Sequence, residues 1–323
     1  MKYMLNGREW VEQIKALMLI VLISIFPITT RAQLIAPSEW ESELYSDHNL
    51  VGMIWSSATN IFISKEQLSR DVLSAKYLIL GEKHDNPDHH LVQLGFINYL
   101  LDNNKLEQIT FEMMDGSSQS LLDAIQNEQF SSLDELRNYL EWDEVGWDWD
   151  FYGPLLNAAY IENIPMAAGN ITNEEMLEVY GFDSLPNEYN VLDDATMEQL
   201  FVDIDESHCG LLPESQFPAM VRVQQARDYS MASSMPEPED EGAVVLITGN
   251  YHARKDLGVA NYLVSKHHNL SMGDIVSIGL IEVQESEENP EFYLQKYGDV
   301  AAYDYIWFTP AISEEDYCAT LRQ

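Results

Sequence analysis

Two histidines follow apolar segments of the chain with the same spacing: a glycine, two further residues and then the histidine. Gly-Glu-Lys-His ends at His84 and directly follows the apolar run 77–80, and Gly-Asn-Tyr-His ends at His252 after the apolar run 243–248. Each pattern predicts a buried strand, a glycine turn and a histidine ahead of a helix. Histidine can transfer protons near neutral pH and is a common metal ligand. The pair therefore indicates one site built from two distant parts of the chain.

Polar side chains also follow two further apolar runs. Glu112 follows the run 109–111, Asn170 comes shortly after the run 164–168, and Glu82 lies on the glycine turn of the first histidine motif. In open α/β sheets, ligands bind in the crevice beyond the carboxyl ends of the strands. We therefore expect these side chains to project into one crevice.

The expected site contains His84, Glu112 and His252, with Glu82 beside them and Arg254 at its rim. His84, Glu112 and His252 could hold a divalent transition metal ion, because imidazole and carboxylate are suitable ligands. The same residues could instead form an acid/base cluster without a metal. In a hydrolase, Glu82 or Glu112 would activate water while the two histidines held a metal or polarised the substrate. The residue types leave these alternatives open.

Short apolar runs alternate with amphipathic stretches along most of the chain. This order predicts an α/β fold, with a mostly parallel central sheet flanked by helices. The segments 274–283 and 301–308 predict further strands at an edge of the sheet, and the acidic segment 192–235 predicts a helical insertion. The other main helices are expected at about 87–103, 117–140, 151–162 and 256–266.

Residues 1–32 have the pattern of a signal peptide. Basic residues precede the apolar run 16–28, and the small residues Thr30 and Ala32 predict cleavage after Ala32. The apolar run is too short to cross a membrane, and no second long apolar stretch follows. We therefore expect an exported protein, periplasmic or secreted. Its mature part would be a single α/β domain over residues 33–323, without a transmembrane helix.

The chain is strongly acidic. It has 54 Asp and Glu against 17 Lys and Arg among 323 residues, a formal net charge of −37. Nucleic acids and anionic membrane surfaces attract basic patches, so neither is expected as a partner. With 46% hydrophobic residues, the composition is that of a folded domain whose surface acidity favours solubility.

The sequence also excludes several classes of site. Cys209 and Cys318 are the two cysteines of the chain, too few for a disulfide scaffold, a cysteine zinc site or an iron–sulfur cluster. Whether they form a disulfide is left open. The chain has no C-x-x-C-H, G-x-S-x-G, G-x-G-x-x-G or Walker motif, which disfavours covalent c-type haem, serine hydrolysis, dinucleotide binding and ATP chemistry.

The segment around the first histidine motif reads Gly-Glu-Lys-His-Asp-Asn-Pro-Asp-His-His over 81–90, with Gln93 shortly after it. Further characteristic segments are Phe111-Glu112-Met113, Tyr152-Gly153-Pro154-Leu155-Leu156, residues 208–213, Met220-Val221 with Gln225, Arg227-Asp228, Met231-Ala232 and residues 252–259. In this order, over about residues 75–265, they resemble the ChaN-like haem-binding uptake family of the wider Tiki/TraB-like superfamily. One departure is Tyr251, where a small residue such as glycine is usual.

The resemblance implies an α/β domain with a helical subdomain that binds haem, or a related cofactor, without a covalent bond. It also implies a role in iron or haem acquisition or handling, with an outer-membrane uptake receptor and a second copy of the chain as candidate partners. Other branches of the superfamily resemble metal-dependent proteases or erythromycin-esterase-type hydrolases with the same G-x-x-H and Glu positions. A metal-dependent hydrolase is therefore the alternative, and fold kinship alone does not choose between them.

Haem binding would require an axial ligand to iron, an apolar slot for the ring and partners for two propionates. The aromatic, acidic loop 147–150 is suited to covering a flat ring. Arg227 shares a helical face with Met220 and Met231, so its charge is available to an anion. Arg254 adds positive charge beside the second motif. The candidate axial ligands are Tyr152, Tyr251, His89 and His90.

Overall fold

A central β-sheet contains the apolar runs of the sequence. The structure is a computed structural model and describes residues 34, 37–239, 241–294, 296–297, 300–316 and 318–319. The predicted signal peptide lies outside the described residues. The strands are β1 (Ile54–Ser56), β2 (Ile61–Ile63), β3 (Tyr77–Glu82), β4 (Leu106–Asp115), β5 (Met166–Asn170), β6 (Ala243–Gly249), β7 (Ile275–Glu282), β8 (Lys296–Tyr297), β9 (Val300–Ala301) and β10 (Tyr305–Thr309).

Eight of these strands form one sheet in the order β2-β1-β10-β7-β3-β6-β4-β5. Neighbouring strands from β10 to β5 are parallel, while β1 is antiparallel to both β10 and β2. β8 and β9 form a separate antiparallel pair. The predicted α/β fold with a mostly parallel sheet is therefore confirmed. β7 and β10 lie inside the sheet, and not at its edge as expected, because the β1–β2 hairpin pairs with β10.

Helices flank the sheet and connect most of its parallel strands. They are α1 (Lys65–Ser74), α2 (Pro87–Asp102), α3 (Gln119–Ala124), α4 (Leu133–Tyr139), α5 (Trp149–Ile161), α6 (Asn173–Tyr180), α7 (Asp194–Ser207), α8 (Phe217–Ser234), α9 (Asn250–Ala253) and α10 (Val259–Lys266). Asn86 and Asp148, just before α2 and α5, each accept a hydrogen bond from a backbone N–H of the first turn. No helix in the described part of the chain is long and apolar enough to cross a membrane.

The strands at the centre of the sheet are covered on both faces. Every residue of β3 and β6 is buried. Since successive side chains of a strand point to opposite faces, uninterrupted burial requires packing on both sides. The polar residues at the carboxyl ends, including Glu82 and Thr248, are also buried. Such groups must find hydrogen-bond partners inside the protein.

The segment 192–235 contains α7 and α8, and α8 packs against β5 and α10. This position allows α8 to contribute side chains to the carboxyl-terminal edge of the sheet. A disulfide joins Cys209, in the connection between α7 and α8, to Cys318. The sequence alone left this pairing open, because it does not show which distant residues meet.

Reduction of the Cys209–Cys318 disulfide is expected to lower the free energy of unfolding. The two cysteines are 109 residues apart, and closing a loop of that length in the unfolded chain is worth roughly 4–5 kcal/mol at most. Urea unfolding with and without reductant measures the difference. A variant with Cys209→Ser and Cys318→Ser should have the same free energy of unfolding as the reduced protein, and reductant should not change it. An oxidised protein no more stable than this variant would contradict the prediction.

Candidate functional site

Four neighbouring strands bring the predicted site residues to one crevice. In the order β3-β6-β4-β5, β3 ends at Glu82 and leads to His84, and β6 leads to His252 in α9. β4 carries Glu112, and β5 ends at Asn170. Because these strands are parallel neighbours, their carboxyl ends lie along one edge of the sheet.

Glu82 is a buried carboxylate with four polar neighbours. Its Oε1 accepts a hydrogen bond from the Tyr152 hydroxyl at 2.5 Å and lies 2.9 Å from Nδ1 of His84. Its Oε2 accepts from Nε2 of Gln93 at 2.5 Å and lies 3.3 Å from Nδ1 of His90. A carboxylate removed from water requires such partners. Glu82 therefore fixes the side chains that surround His84.

One ring nitrogen of His84 makes no hydrogen bond to the described residues. Nδ1 is bonded to Glu82, whereas Nε2 has no hydrogen-bond partner among the described residues, and the side chain is 40% exposed. Burial opposes the charged imidazole, but the hydrogen bond with Glu82 and the charge of Glu112 outweigh it and raise the pKa of His84. When His84 is neutral, the bond to Glu82 places the proton on Nδ1 and leaves the lone pair on Nε2.

Glu112 is held as an ionised carboxylate. Its Oε2 accepts hydrogen bonds from the Thr248 hydroxyl at 2.6 Å and the Gly249 amide at 2.7 Å. Its Oε1 lies 3.5 Å from Nε2 of His252. Burial opposes ionisation, but the charges of His252 and His84 outweigh it. With the two hydrogen bonds, they hold the pKa of Glu112 below its ordinary value.

β4 continues beyond Glu112, which was expected to end the strand. The register between β4 and β5 shifts between Phe111 and Asp115. Such irregularities re-aim side chains and are common beside functional sites. Here the side chain of Glu112 lies against the end of β6, where it meets Thr248 and Gly249.

His252 lies between two carboxylates. Besides its contact with Glu112, its Nδ1 is 2.7 Å from Oδ1 of Asp228. Burial opposes the charged imidazole, but the charges of Glu112 and Asp228 outweigh it and raise the pKa of His252. Burial also raises the pKa of Asp228, an effect that the charge of His252 only partly offsets. Nε2 of Gln224 approaches Nδ1 of His252 at 2.9 Å.

Asp228 was noted only as part of the characteristic segment Arg227-Asp228, and neither Asp228 nor Gln224 was predicted as a partner of His252. Both lie on α8, four residues apart and therefore on one face of the helix. This spacing was visible in the sequence, but it does not reveal which element that face contacts. Their role became apparent from the packing of α8 beside β5, which brings them to His252.

The glycines of the two histidine motifs let the motifs pack against each other. A Cβ on Gly249 would lie 2.8 Å from Nε2 and 3.0 Å from Cε1 of His84. A Cβ on Gly81 would lie 2.6 Å from Oδ1 of Asn250. Gly249 has a φ of −62°, which any residue can adopt. Close approach, and not an unusual backbone conformation, therefore requires glycine at this position.

Trp147 lines two cavities in the crevice. One cavity, of about 600 Å³, is lined by His84, Trp147 and Phe151 together with acidic residues. The other, of about 330 Å³, is lined by Glu112, Arg227 and Trp147, among others. Small-molecule sites commonly have volumes of roughly 300–1,000 Å³. The ring of Trp147 also contacts that of His84 edge-on, with 4.9 Å between ring centres.

Arg227 brings a positive charge to the smaller cavity. Its Nε is buried without a hydrogen-bond partner, and none of the carboxylates in the described part of the chain forms an ion pair with it. Its charge acts on His252, where it opposes protonation. Buried polar groups without partners are uncommon. The guanidinium is therefore available to an anionic group in this cavity.

The two predicted tyrosine ligands are bonded within the protein. The hydroxyl of Tyr152 is buried and donates to Glu82, and the hydroxyl of Tyr251 donates to Asp203 of α7 at 2.8 Å. Burial and these acidic neighbours raise the pKa of both phenols above the usual range. Neither tyrosine lines either of the two cavities described above. Tyr251, the departure from the family pattern, therefore attaches α7 to the second motif.

The predicted ligands His89 and His90 are buried in α2. Nδ1 of His89 accepts a hydrogen bond from the Lys83 amide at 2.8 Å, and Nε2 lies 2.9 Å from the Thr309 hydroxyl. Burial, with the charge of His90, lowers the pKa of His89 well below its ordinary value. Nε2 of His90 lies 3.1 Å from the carbonyl oxygen of His84. Both residues therefore support the turn that carries His84.

Arg254 was expected at the rim of the crevice but is buried in an ion pair. Its Nε donates to Oδ1 of Asp256 at 2.9 Å, and Nη2 donates to Oδ2 at 2.6 Å. It lines neither of the two cavities described above. Arg254 is close to His252 in the sequence. In the structure, however, its guanidinium forms an ion pair with Asp256, two residues further along the chain.

The described residues of the crevice do not form a metal-binding group. Within the described part of the chain, no group of three or more His, Cys, Asp and Glu side chains could hold a metal ion. Glu112 already accepts two hydrogen bonds through one oxygen, and His252 has a carboxylate beside each ring nitrogen. The predicted divalent metal at His84, Glu112 and His252 is therefore not supported.

A family model described as "Haem-binding uptake, Tiki superfamily, ChaN" matches residues 68–263. This range includes both histidine motifs, Glu112 and all of α8. No curated protein matches the chain. Among solved structures, the chain is similar to one described as cofacial haem binding to ChaN of Campylobacter jejuni. The identity is 28%, the match covers 79% of this chain and 95% of that chain, and the TM-score is 0.64.

The chain also has weaker likenesses to other solved structures. A mutant of the erythromycin esterase EreC is 14% identical, with 67% of this chain and 72% of that chain covered and a TM-score of 0.41. A protein from Bacillus cereus is also 14% identical, with 67% and 68% covered and a TM-score of 0.39. Likeness at this level says nothing about the function of this chain.

Replacing Asp228 with Asn is expected to lower the pKa of His252, because it removes one of the two charges that stabilise the imidazolium. The stability gained from protonated His252 is fully present below the unfolded-state pKa of about 6.5. It is lost as the pH rises through the higher folded-state pKa. In Asp228→Asn this loss should move to lower pH. NMR titration of the histidines and urea unfolding across this range measure both effects.

The matched control is Asp203→Asn, which removes an acid bonded to Tyr251 and not to His252. It should leave the titration of His252 close to that of the wild type. Identical His252 titrations in the wild type and in Asp228→Asn would contradict the contact with Asp228 as the source of the raised pKa.

Proposed function

Because the chain belongs to the ChaN family of haem-binding uptake proteins of the Tiki superfamily, we propose that it binds haem without a covalent bond. The ligand site is the crevice at the carboxyl ends of β3, β6 and β4. The observation that carries the proposal is the family match over residues 68–263, which includes the crevice residues from Glu82 to His252. The similar ChaN of Campylobacter jejuni is described as binding haem cofacially.

The side chains of the crevice fit a planar tetrapyrrole. Aromatic rings can stack on a conjugated macrocycle, and Trp147 and Phe151 line the cavity that also contains His84. Haem also needs a ligand to iron and partners for its propionates. His84 has an uncommitted ring nitrogen, and the buried Nε of Arg227 has no partner in the described protein. Haem would supply the iron, and these residues would bind and orient it.

Arg227 is the side chain best placed to bind a propionate. A guanidinium binds a carboxylate through two parallel hydrogen bonds, which fixes orientation as well as charge. Arg254 is less suited to this role because Asp256 occupies its guanidinium. In a chain with a net charge of −37, an arginine without an ion-pair partner among the described residues is an informative feature of the crevice.

We also propose that the protein is exported and takes part in haem or iron acquisition. The pattern over residues 1–32 supports export, and so does the Cys209–Cys318 disulfide, since disulfides persist mainly in oxidising compartments. The acquisition role, an outer-membrane uptake receptor and pairing with a second copy of the chain rest on the family resemblance alone.

Hemin added to the mature protein is expected to give a saturable shift of the Soret band, and a flat titration would overturn the proposed function.

Arg227→Met should weaken hemin binding about tenfold or more, because hydrogen bonds to charged groups are worth about 1.5–3 kcal/mol. The variant should bind hemin dimethyl ester as well as the wild type does, since the ester has no free carboxylate.

The matched control is Arg222→Met on the same helix, because Arg222 donates to the backbone carbonyls of Val179 and Tyr180. It removes the same charge from the chain at a residue that lines neither cavity, so hemin affinity should be preserved. Equal losses in the two variants, or an equal loss for hemin and its ester in Arg227→Met, would exclude a specific contact with propionate.

Expression of the full chain in a bacterial host is expected to yield an exported protein whose mature N-terminus is Gln33. The reason is the small-residue site that ends at Ala32. Cell fractionation followed by intact-mass measurement tests both points. Replacing Ala32 with a bulky residue should block processing, and retention of the full-length chain in the cytoplasm would contradict the prediction.

A further inference from the structure

A further cavity lies outside the crevice, between helices α2 and α5. It has a volume of about 690 Å³ and is lined by side chains of both helices and of the start of α4. Its apolar lining residues are Leu94, Leu101, Leu133, Pro154, Ala158 and Ile161. We call this cavity the α2–α5 groove. It shares no lining residue with the two cavities of the crevice.

The α2–α5 groove extends away from the crevice. The two helices begin side by side, because His90 in the first turn of α2 stacks on Phe151 in the first turn of α5, with 4.8 Å between ring centres. α2 leads into β4 and α5 leads into β5, and these strands are parallel neighbours. Both helices therefore end towards the amino ends of the strands, whereas the crevice lies at the carboxyl ends. The last residues of the two helices, Asp102 and Ile161, line the groove.

The apolar side chains of the groove are incompletely covered by the described protein. Ile161 is 61% exposed and Leu133 is 38% exposed, and Leu94 and Leu101 are only half-buried. Single exposed apolar residues are ordinary on a protein surface, but a contiguous group of them marks an interaction site.

The spacing of the lining residues fits a helical partner. Leu94, Asn98 and Leu101 lie on one face of α2, and Pro154 and Ile161 lie two turns apart on α5. The lining stretch of α2, residues 94–102, is about 12 Å long at the rise of an α-helix. Two neighbouring helices thus form a trough about two helical turns in length. An amphipathic helix binds such a trough with apolar anchors three, four and seven residues apart.

One end of the groove is electronegative. Asp102 is the last residue of α2, and Glu162 directly follows α5; both line the groove and are exposed. Helix C-termini have a partial negative charge that basic residues usually offset, but neither helix has a basic residue in its last turn. None of the described residues that line the groove is basic, and Lys105, close to Asp102 in sequence, pairs with Glu241.

We propose that the α2–α5 groove is a docking surface for a basic amphipathic helix of another protein. The apolar face of that helix covers the exposed side chains, and a lysine or arginine at one end contacts Asp102 and Glu162. A second copy of this chain is a poor occupant, because each copy has a net charge of −37. An anionic membrane surface would be repelled by the same carboxylates.

A model peptide tests the chemistry of the proposed partner. In the labelled probe peptide, leucines at helical spacing form one face and lysines form the other. Fluorescence anisotropy should show saturable binding to the mature protein. A peptide with glutamate in place of each lysine should not bind, and neither should a peptide whose scrambled leucines and lysines share no face. Equal binding of the scrambled peptide, or no binding of the probe, would overturn the proposal.

Ile161→Asn should weaken binding of the leucine–lysine peptide about tenfold or more, because burial of an isoleucine side chain changes affinity by at least about that factor. The matched control is Leu177→Asn on α6, which changes an apolar residue that is 67% exposed and lines none of the three cavities. It should leave the affinity unchanged. A peptide affinity of Ile161→Asn equal to that of the wild type would contradict docking in the groove.

The charge of the groove is tested with Asp102→Asn and Glu162→Gln together. This variant should bind the leucine–lysine peptide about threefold to tenfold more weakly and with a smaller dependence on salt. It should be at least as stable as the wild type, because an acidic residue at a helix C-terminus is unfavourable. The control, Glu174→Gln with Glu178→Gln, removes the same charge from the exposed face of α6. Equal losses in both variants would indicate general attraction to an acidic surface and overturn the proposal.

Sedimentation velocity tests the competing occupant, a second copy of the chain. Wild type and Ile161→Asn should have the same molecular mass. An oligomer that Ile161→Asn dissociates would identify the second copy as the occupant, and the proposal would be wrong. Because the groove lies apart from the crevice, hemin titrations of Ile161→Asn should match those of the wild type, and the proposal does not depend on haem binding.

Discussion

The carboxylates of Glu82 and Glu112 are buried at the carboxyl ends of the central strands, and much of the crevice is arranged around them. A buried carboxylate without donors is strongly destabilising. Glu82 therefore accepts hydrogen bonds from Gln93 of α2 and Tyr152 of α5. Glu112 contacts His252, whose other ring nitrogen contacts Asp228 of α8. Three helices are attached to the sheet edge by groups that also set the charge of the crevice. The same hydrogen bonds therefore stabilise the fold and fix the geometry of the site.

The general architecture could be predicted because it depends on patterns that are local in the sequence. Near-continuous apolar runs alternating with helices predict a parallel sheet, and parallel strands end at a common edge. That rule was sufficient to expect His84, Glu112 and His252 near one another. The short hairpin of β1 and β2 was not predicted, because strands of three residues have no periodicity to detect, and its presence moves β10 into the interior of the sheet.

The partners of the site residues could not be predicted, because tertiary packing determines them. The segment Arg227-Asp228 is recognisable in the sequence, but the partner of Asp228 depends on the position of α8 beside β5. The disulfide likewise depends on which distant residues meet in the fold. Arg254, in contrast, was expected at the rim of the crevice because it is close to His252 in the sequence, but it is paired with Asp256. Residue type and spacing indicate which groups can do chemistry, but hydrogen bonding decides which of them remain available.

Which side chains of the crevice remain available also bears on the choice between ligand binding and hydrolysis. A general base works best with a pKa near the working pH and must reach the proton that it removes. Glu112 has a lowered pKa and already accepts two hydrogen bonds on one oxygen, so it is a weak and occupied base. His252 is held between carboxylates that stabilise its protonated form. These groups fix charge in the crevice, whereas Nε2 of His84 makes no hydrogen bond to the described protein and shares the larger cavity with the carboxylates of Asp85, Glu144 and Asp148. A carboxylate that already accepts two hydrogen bonds is poorly suited to activating water, whereas an oriented imidazole with an unbonded nitrogen is suited to contacting a ligand.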